Sequence, residues 1–325
     1  MATSGLGYFR PRSLLSRLDT VKRILLTGAS GFVGRHAIAP LLAAGYEVHA
    51  VTRCPPEAPD AQVYWHQADL LLPGTAQAVL QAVKPTHLMH LAWDVEPGAF
   101  WTSPKNLHWV SASVALIEAA AIAGVTRIVM AGSSAEYDWH SGICCEASTP
   151  LRPATLYGTA KHALQMIASA YLQARGVSLA WGRMFFLYGP GEDSRRLVPT
   201  VIQNLLAKKK IPVTRGDQIR DFLHVQDVAE AFVALLNSGI EGPVNIASGD
   251  PVEVKALISL IGAQLDGDEF IEWGSLAMPA NDPQELRADV CRLKKEVGWR
   301  PRYDLETGIS ETIQEWRKLL SAKIQ

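Results

Sequence analysis

Residues 23–34, Arg23-Ile24-Leu25-Leu26-Thr27-Gly28-Ala29-Ser30-Gly31-Phe32-Val33-Gly34, decide the fold of this chain. The run from Arg23 to Thr27 has the apolar composition of a parallel strand buried on both faces, and from Phe32 to Ala44 apolar residues recur at helical spacing. The glycines therefore fall on a strand-to-helix turn. Gly28 permits the tight turn, Gly31 lets the backbone approach a pyrophosphate, and Gly34 lets the helix pack close to the strand. The helix N-terminus then faces the anion. A bare glycine triplet is weak, but strand before and helix after make residues 28–34 a cofactor-phosphate site, with Ser30, Phe32 and Val33 between the glycines.

The next strand, Glu47-Val48-His49-Ala50-Val51-Thr52-Arg53, ends where such a unit places an acidic residue against the ribose of NAD. Arg53 stands there instead. A guanidinium pairs with a 2′-phosphate that a carboxylate would repel, so NADP(H) is the favoured cofactor and NAD(H) the alternative. Asp69 falls at the end of the third strand, after Val63-Tyr64-Trp65. It can accept from an adenine amino group or cap the following helix. Leu70 beside it, and Leu91 and Ala92 after the fourth strand, are expected in the same cofactor pocket.

A second site follows about 130 residues later, at Tyr157-Gly158-Thr159-Ala160-Lys161. On a helix, positions four apart share a face. A lysine charge about 4 Å from a phenolate stabilises it by roughly 4 kcal/mol at an effective dielectric near 20. That is enough to bring a tyrosine from about 10 toward 7, where it exchanges protons at cell pH. Between the two sites, Arg127-Ile128-Val129-Met130-Ala131 reads as a strand running into Gly132-Ser133-Ser134. Ligands bind beyond the carboxyl ends of strands in an open α/β sheet. Ser134 is thus the expected donor to the oxygen that Tyr157 protonates.

Strand and helix patterns alternate from residue 22 to about 187, which predicts an α/β fold of Rossmann type: a doubly wound parallel sheet with a smaller α+β substrate lobe. Residues 21–190 form the nucleotide domain, with 221–236 returning to it, and residues 191–220 and 237–325 form the lobe. Residues 1–20 carry Arg10, Arg12 and Arg17 against one acid, Asp19, and read as a disordered extension. The active site is expected in the cleft between lobes.

Composition excludes several classes. The formal net charge is −1, with no electrostatic case for nucleic acid or an anionic membrane. The most apolar region, Val110 to Met130, is interrupted by Glu118, Gly124 and Arg127, and no stretch reaches the 18 or so residues of a membrane span. The four cysteines lack metal-ligand spacing, and the adjacent pair Cys144 and Cys145 suits no structural disulfide, so no metal and a reducing cytoplasm are expected.

Taken in order, these stretches resemble the extended short-chain dehydrogenase/reductase family of nucleotide-sugar epimerases, dehydratases and reductases. The resemblance runs from about residue 21 through nearly the whole chain. It rests on Thr27–Gly34, His90-Leu91-Ala92, Leu116-Ile117-Glu118-Ala119-Ala120, Ser133-Ser134-Ala135, Tyr157–Lys161, Arg183-Met184-Phe185-Phe186-Leu187-Tyr188-Gly189-Pro190, Arg220–Ala229 and Asn245–Gly249. It implies a triad of Ser134, Tyr157 and Lys161, Lys161 also holding the nicotinamide ribose, and a sugar-nucleotide diphosphate contact at Arg220. A homodimer through helices near 106–122 and 157–174 is implied as well. Departures are Trp109 and Phe186 where many members have asparagine, so Phe186 is expected to alter the substrate contact. Dehydratases of the family typically carry Asp-Glu directly after the serine or threonine. Ala135-Glu136 stands here, against dehydration.

Of Trp93, Trp101, Trp109 and Trp139, Trp93 and Trp139 are the first candidates to face a sugar. Asp94, Glu96 and Arg196 are further candidates for sugar or phosphate contacts. The expected activity is reduction of an NDP-4-keto-6-deoxyhexose by NADPH, with a 4-epimerase holding NAD as the alternative. A redox-sensing protein without turnover is a third reading.

Overall fold

The computed structural model describes residues 21–58, 60–279 and 282–322; the extension expected over residues 1–20 lies outside them. In chain order the elements begin with β1 (Arg23–Thr27), α1 (Phe32–Ala43), β2 (Glu47–Thr52), β3 (Val63–Gln67), α2 (Thr75–Val83), β4 (His87–His90) and α3 (Lys105–Ile122). There follow β5 (Arg127–Ser133), β6 (Ile143–Cys144), α4 (Leu156–Gln173), β7 (Ser178–Met184), β8 (Phe186–Tyr188) and α5 (Leu197–Leu206). The remainder comprises β9 (Ile211–Pro212), β10 (Ile219–Arg220), β11 (Phe222–His224), α6 (Val225–Asn237), β12 (Gly242–Ile246), β13 (Val252–Glu253) and α7 (Val254–Leu265). The last are β14 (Ile271–Glu272), β15 (Glu285–Ala288) and α8 (Leu305–Ala322).

Seven of the strands form one sheet in the order β3-β2-β1-β4-β5-β7-β12, every pairing parallel. The order reverses between β1 and β4, which opens the crevice where a doubly wound sheet takes its ligand. Alternate residues of β1 explain the two covering layers. Ile24 and Leu26 join the core under α1 and α6, with Ala37, Leu41, Ala229 and Phe232. Leu25 joins the opposite core, with Leu80 of α2, Leu116 of α3 and Leu164 of α4. Both faces being buried is why the strand reads as a continuous apolar run.

A third core belongs to the C-terminal part of the chain. There Val201 and Ile202 of α5, Leu257 and Ile261 of α7, and Ile309 and Ile313 of α8 pack together. One boundary differs from the sequence reading: residues 242–246, expected in the smaller lobe, are the edge strand of the main sheet, paired with β7 from Gly242↔Ala180 to Ile246↔Met184. Pro243 is tolerated because an edge strand leaves one side of its backbone unpaired. Among the described residues no helix is long and apolar enough to cross a membrane.

Candidate active site

The glycine loop lies at the carboxyl end of β1, against β4. Gly28 has φ +73°, and a Cβ there would sit 2.7 Å from the Ala92 nitrogen, so only glycine lets these strand ends approach. The helix that follows starts at Gly31 with no side-chain cap and no acidic residue in its first turn. Its amino-terminal N–H groups are thus available to an anion. This bare cradle fits a dinucleotide pyrophosphate. Ser30 Oγ lies 2.8 Å from Thr52 Oγ1, linking the loop to the end of β2, and Arg53 beyond it is exposed. Asp69 Oδ1 accepts from the Leu71 nitrogen at 3.0 Å, and the following helix is capped by Gly74 and not by Asp69 as its alternative reading had it. Leu70 is buried, while Leu91 and Ala92 are half-buried.

Sequence reasoning missed His90 at this switch point. It is buried between Thr27 Oγ1, at 2.6 Å from Nδ1, and Ser113 Oγ, at 2.8 Å from Nε2. Burial, and secondarily the Lys161 charge, pushes it down to about 3, so it stays neutral and pins β1, β4 and α3 together. A histidine inside an apolar strand gives no sequence sign of such partners.

Tyr157 and Lys161 sit on the first two turns of α4, both buried. Thr155 caps this helix, its hydroxyl accepting from the Gly158 nitrogen at 3.1 Å. Gly158 is needed for proximity: a Cβ would lie 2.1 Å from the Ala135 carbonyl oxygen, in the turn that follows β5. That contact brings the serine turn to the tyrosine. Ser133 draws the Tyr157 phenol down against its burial, and its Oγ accepts from the Ala135 nitrogen at 3.2 Å.

Ser134 was the serine expected to face the phenol; its neighbour Ser133 is the one that bears on it electrostatically. Ser134 is buried one step further along the turn, where its carbonyl accepts from Trp139 Nε1 at 3.1 Å. A single 3-10 turn, Ser134–Glu136, follows β5 directly.

The electrostatics also differ from expectation. Burial pushes the Tyr157 phenol up to about 12, outweighing the Ser133 hydrogen bond that lowers it. Lys161 is pulled down to about 7, again chiefly by burial, with the Glu136 carboxylate opposing. The simple pair calculation placed the lysine charge in a half-aqueous medium and left out the cost of desolvating both groups. Lys161 Nζ donates to the Ala131 carbonyl at 2.9 Å and lies 3.8 Å from the Trp93 ring centroid.

Aromatic rings wall this centre. Phe100 and Trp101 stand edge-on to Tyr157, with centroids 4.9 and 5.8 Å away, and Trp101 in turn meets Trp139 at 5.8 Å. Trp93 is held by Asn106, to which its Nε1 donates at 2.9 Å, and stacks on Trp109 at 6.1 Å. Of the two favoured tryptophans, Trp93 is the one on the lysine and Trp139 covers the serine turn. Phe100 was not foreseen, and Trp101, one of the four candidates, was ranked behind Trp93 and Trp139, because nothing in an irregular loop fixes side-chain direction.

The other candidate substrate residues fall on two sides of the cleft. Arg196, at the start of α5, donates to the Val95 carbonyl at 2.9 Å and lies 5.2 Å from the Phe100 centroid. Asp94 pairs instead with Lys105 at 2.8 Å, and Glu96 with Arg195 at 3.6 Å. Arg220 is buried, donates to Asp282 at 2.6 Å and lies 5.4 Å from the ring centroid of Phe186. Glu192, in the loop before α5, was not anticipated: one carboxyl oxygen is buried without a partner, and burial pushes the group up to about 8.

A parallel doubly wound sheet with a bare glycine cradle at its switch point, and a buried tyrosine and lysine with a half-buried serine beside them, defines a nicotinamide-dependent enzyme of the short-chain type. Residues 24–247 match the model of the NAD dependent epimerase/dehydratase family, and the chain belongs to that family. It is 28% identical over 323 residues to UDP-glucuronic acid decarboxylase 1 of Xenopus tropicalis, covering 96% of this chain and 76% of that protein. GDP-6-deoxy-D-mannose reductase of Pseudomonas aeruginosa is 26% identical, over 91% of this chain and 97% of the relative. Among solved structures, MoeE5 in complex with UDP-glucose and NAD superposes with a TM-score of 0.78 at 28% identity, over 92% of this chain and 99% of that one.

Proposed function

We propose that the protein reduces the 4-keto group of a nucleotide-activated 6-deoxyhexose. The observation that carries the reading is the burial of Tyr157 one helical turn from Lys161 at the crevice of the sheet. A bound nicotinamide dinucleotide supplies the hydride. The phenol pushed up to about 12 holds its proton at neutral pH and is poised as an acid toward a forming alkoxide. Ser133 donates a hydrogen bond to the same oxygen, and the Lys161 ammonium stabilises the tyrosinate left behind. The aromatic wall of Phe100, Trp101 and Trp139 excludes water and suits the apolar face of a deoxysugar. Arg220 and Arg196 are assigned to the anionic and polar parts of the nucleotide sugar.

The carboxylate that bears on the phenol, Glu136, is not free to act as a second acid, which favours reduction over elimination of water or carbon dioxide. Ser134 and Ala135 follow Ser133, and the Glu136 carboxylate is engaged by Arg183 at 2.7 Å. Among the relatives, the GDP-6-deoxy-D-mannose reductase carries out the kind of reaction proposed. A 4-epimerase is the second reading, favoured by the MoeE5 complex in which NAD accompanies UDP-glucose.

NADP(H) is proposed as the preferred cofactor on account of Arg53. Titration of the purified protein with NADPH and NADH tests this. The expected result is an empty site that binds NADPH about tenfold or more tightly, with Arg53→Ala erasing the difference. Retained NAD and no preference would transfer the assignment to the epimerase.

A further inference from the structure

The Lys161 ammonium is buried, and two contacts hold it: Nζ donates to the Ala131 carbonyl at 2.9 Å and lies 3.8 Å from the centroid of the Trp93 ring. Among the described residues no carboxylate forms an ion pair with it, so the ring is the second partner of a charge removed from water. Trp93 is half-buried in the irregular segment after β4, and its direction comes from α3. Asn106, buried in the first turn of that helix, accepts from Trp93 Nε1 through Oδ1 at 2.9 Å. Trp109, three residues on and so on the same helix face, stacks on the Trp93 ring with centroids 6.1 Å apart and planes 26° from parallel. The Asn106 amide also donates to the Phe100 carbonyl at 2.7 Å and to the Ser103 carbonyl at 2.9 Å. One side chain thus ties down both Trp93 and the loop whose Trp101 carbonyl accepts from the Tyr157 nitrogen at 3.1 Å.

We propose that Trp93 is a positioning residue of this site: held by Asn106 and Trp109, its ring receives the Lys161 ammonium and fixes where that charge stands relative to Tyr157. The proposal rests on the reading of Lys161 as the residue that serves Tyr157 and holds the nicotinamide ribose. A lysine is a point charge on a flexible stem, and a single carbonyl bond leaves it free to swing. The ring removes that freedom. It also does so without a counter-charge: a π face attracts the ammonium but does not neutralise it, so the whole positive charge still acts on a tyrosinate. An ammonium has donors beyond the one that Ala131 takes, and these remain for a ribose hydroxyl. Trp93 stands edge-on to the Tyr157 ring as well, with centroids 6.5 Å apart, so one indole borders both members of the pair.

The test is NMR of the cofactor-free protein with isotopically labelled lysine, the Lys161 ε-methylene signal being identified by its loss in Lys161→Met. The Trp93 ring current is expected to place that signal upfield of ordinary lysine. The displacement is expected to vanish in Trp93→Leu, which keeps bulk without a π face, and to remain in large part in Trp93→Phe, which keeps a ring. Titration of the same variants with NADPH reads the consequence. Trp93→Leu is expected to weaken binding about tenfold, as far as Lys161→Met does, and Trp93→Phe to recover most of the loss. A wild-type Lys161 signal at the ordinary lysine position, or one unmoved in Trp93→Leu, overturns the proposal, and so does an NADPH affinity that falls in Lys161→Met but not in Trp93→Leu. If Trp93→Leu does not fold, Asn106→Ala, which releases the indole from α3, is expected to move the signal toward ordinary lysine, and an unmoved signal there overturns the proposal equally. An NADPH affinity unchanged in Lys161→Met would instead sink the reading of Lys161 as the ribose contact, while the methylene signal still decides what Trp93 does.

Discussion

At the scale of single residues, the chemistry turns on desolvation. Tyr157 and Lys161 are both removed from water, so each is driven toward its neutral form: the tyrosine keeps its proton and the lysine gives one up more readily. A protonated tyrosine is what a reductase needs at the start of its cycle. The serine beside it is proposed to be Ser133. Ser133→Ala should lower kcat by about 10- to 100-fold by removing a donor to the reacting oxygen, while Ser134→Ala should change kcat by less than about threefold. The reverse order in steady-state kinetics would restore Ser134. The tyrosine and lysine were legible because a spacing of four fixes a shared helix face. The choice between adjacent serines was not, since it depends on how the turn after β5 tightens. Phe100 and His90 were illegible for a related reason: their partners, Tyr157 for the one and Thr27 and Ser113 for the other, lie far along the chain.

Elements bring these residues together through close backbone approach. The contact between α4 and the turn after β5 depends on Gly158, where a Cβ would lie 2.1 Å from the Ala135 oxygen. Gly158→Ala should force the helix away from the serine turn, cost about 1–3 kcal/mol of stability and lower turnover about tenfold or more. Thermal unfolding together with kinetics checks both, and an unchanged Tm with full activity would show that the helix accommodates the methyl group. The long alternating segments were readable from sequence because β1, β2 and β5 are buried on both faces and the helices between them carry apolar stripes. The short strand β12 was misplaced. Five residues with a proline at the second position carry too little periodicity to say which sheet they join, and only pairing with β7 decides it.

On the scale of the whole molecule, the fold leaves apolar side chains exposed on two neighbouring helices. Leu107 of α3 is 59% exposed and Met166 of α4 is 58% exposed on two helices that pack side by side. We infer that this face forms the homodimer. Met166→Glu should convert the dimer to a monomer in sedimentation analysis, and a monomeric wild type would refute the inference. The fold class followed from the first thirty-four residues because a phosphate cradle requires a particular strand, turn and helix. The sugar did not follow, because its contacts come from loops whose side-chain directions are set by tertiary packing. The most direct test of the central claim is to supply the purified protein with NADPH and NDP-4-keto-6-deoxyhexoses and follow cofactor oxidation together with the sugar product. The account predicts one NADPH consumed per 4-hydroxy product and loss of that turnover in Tyr157→Phe with NADPH affinity retained; interconversion of sugar epimers without net cofactor consumption, or full activity in Tyr157→Phe, would contradict it.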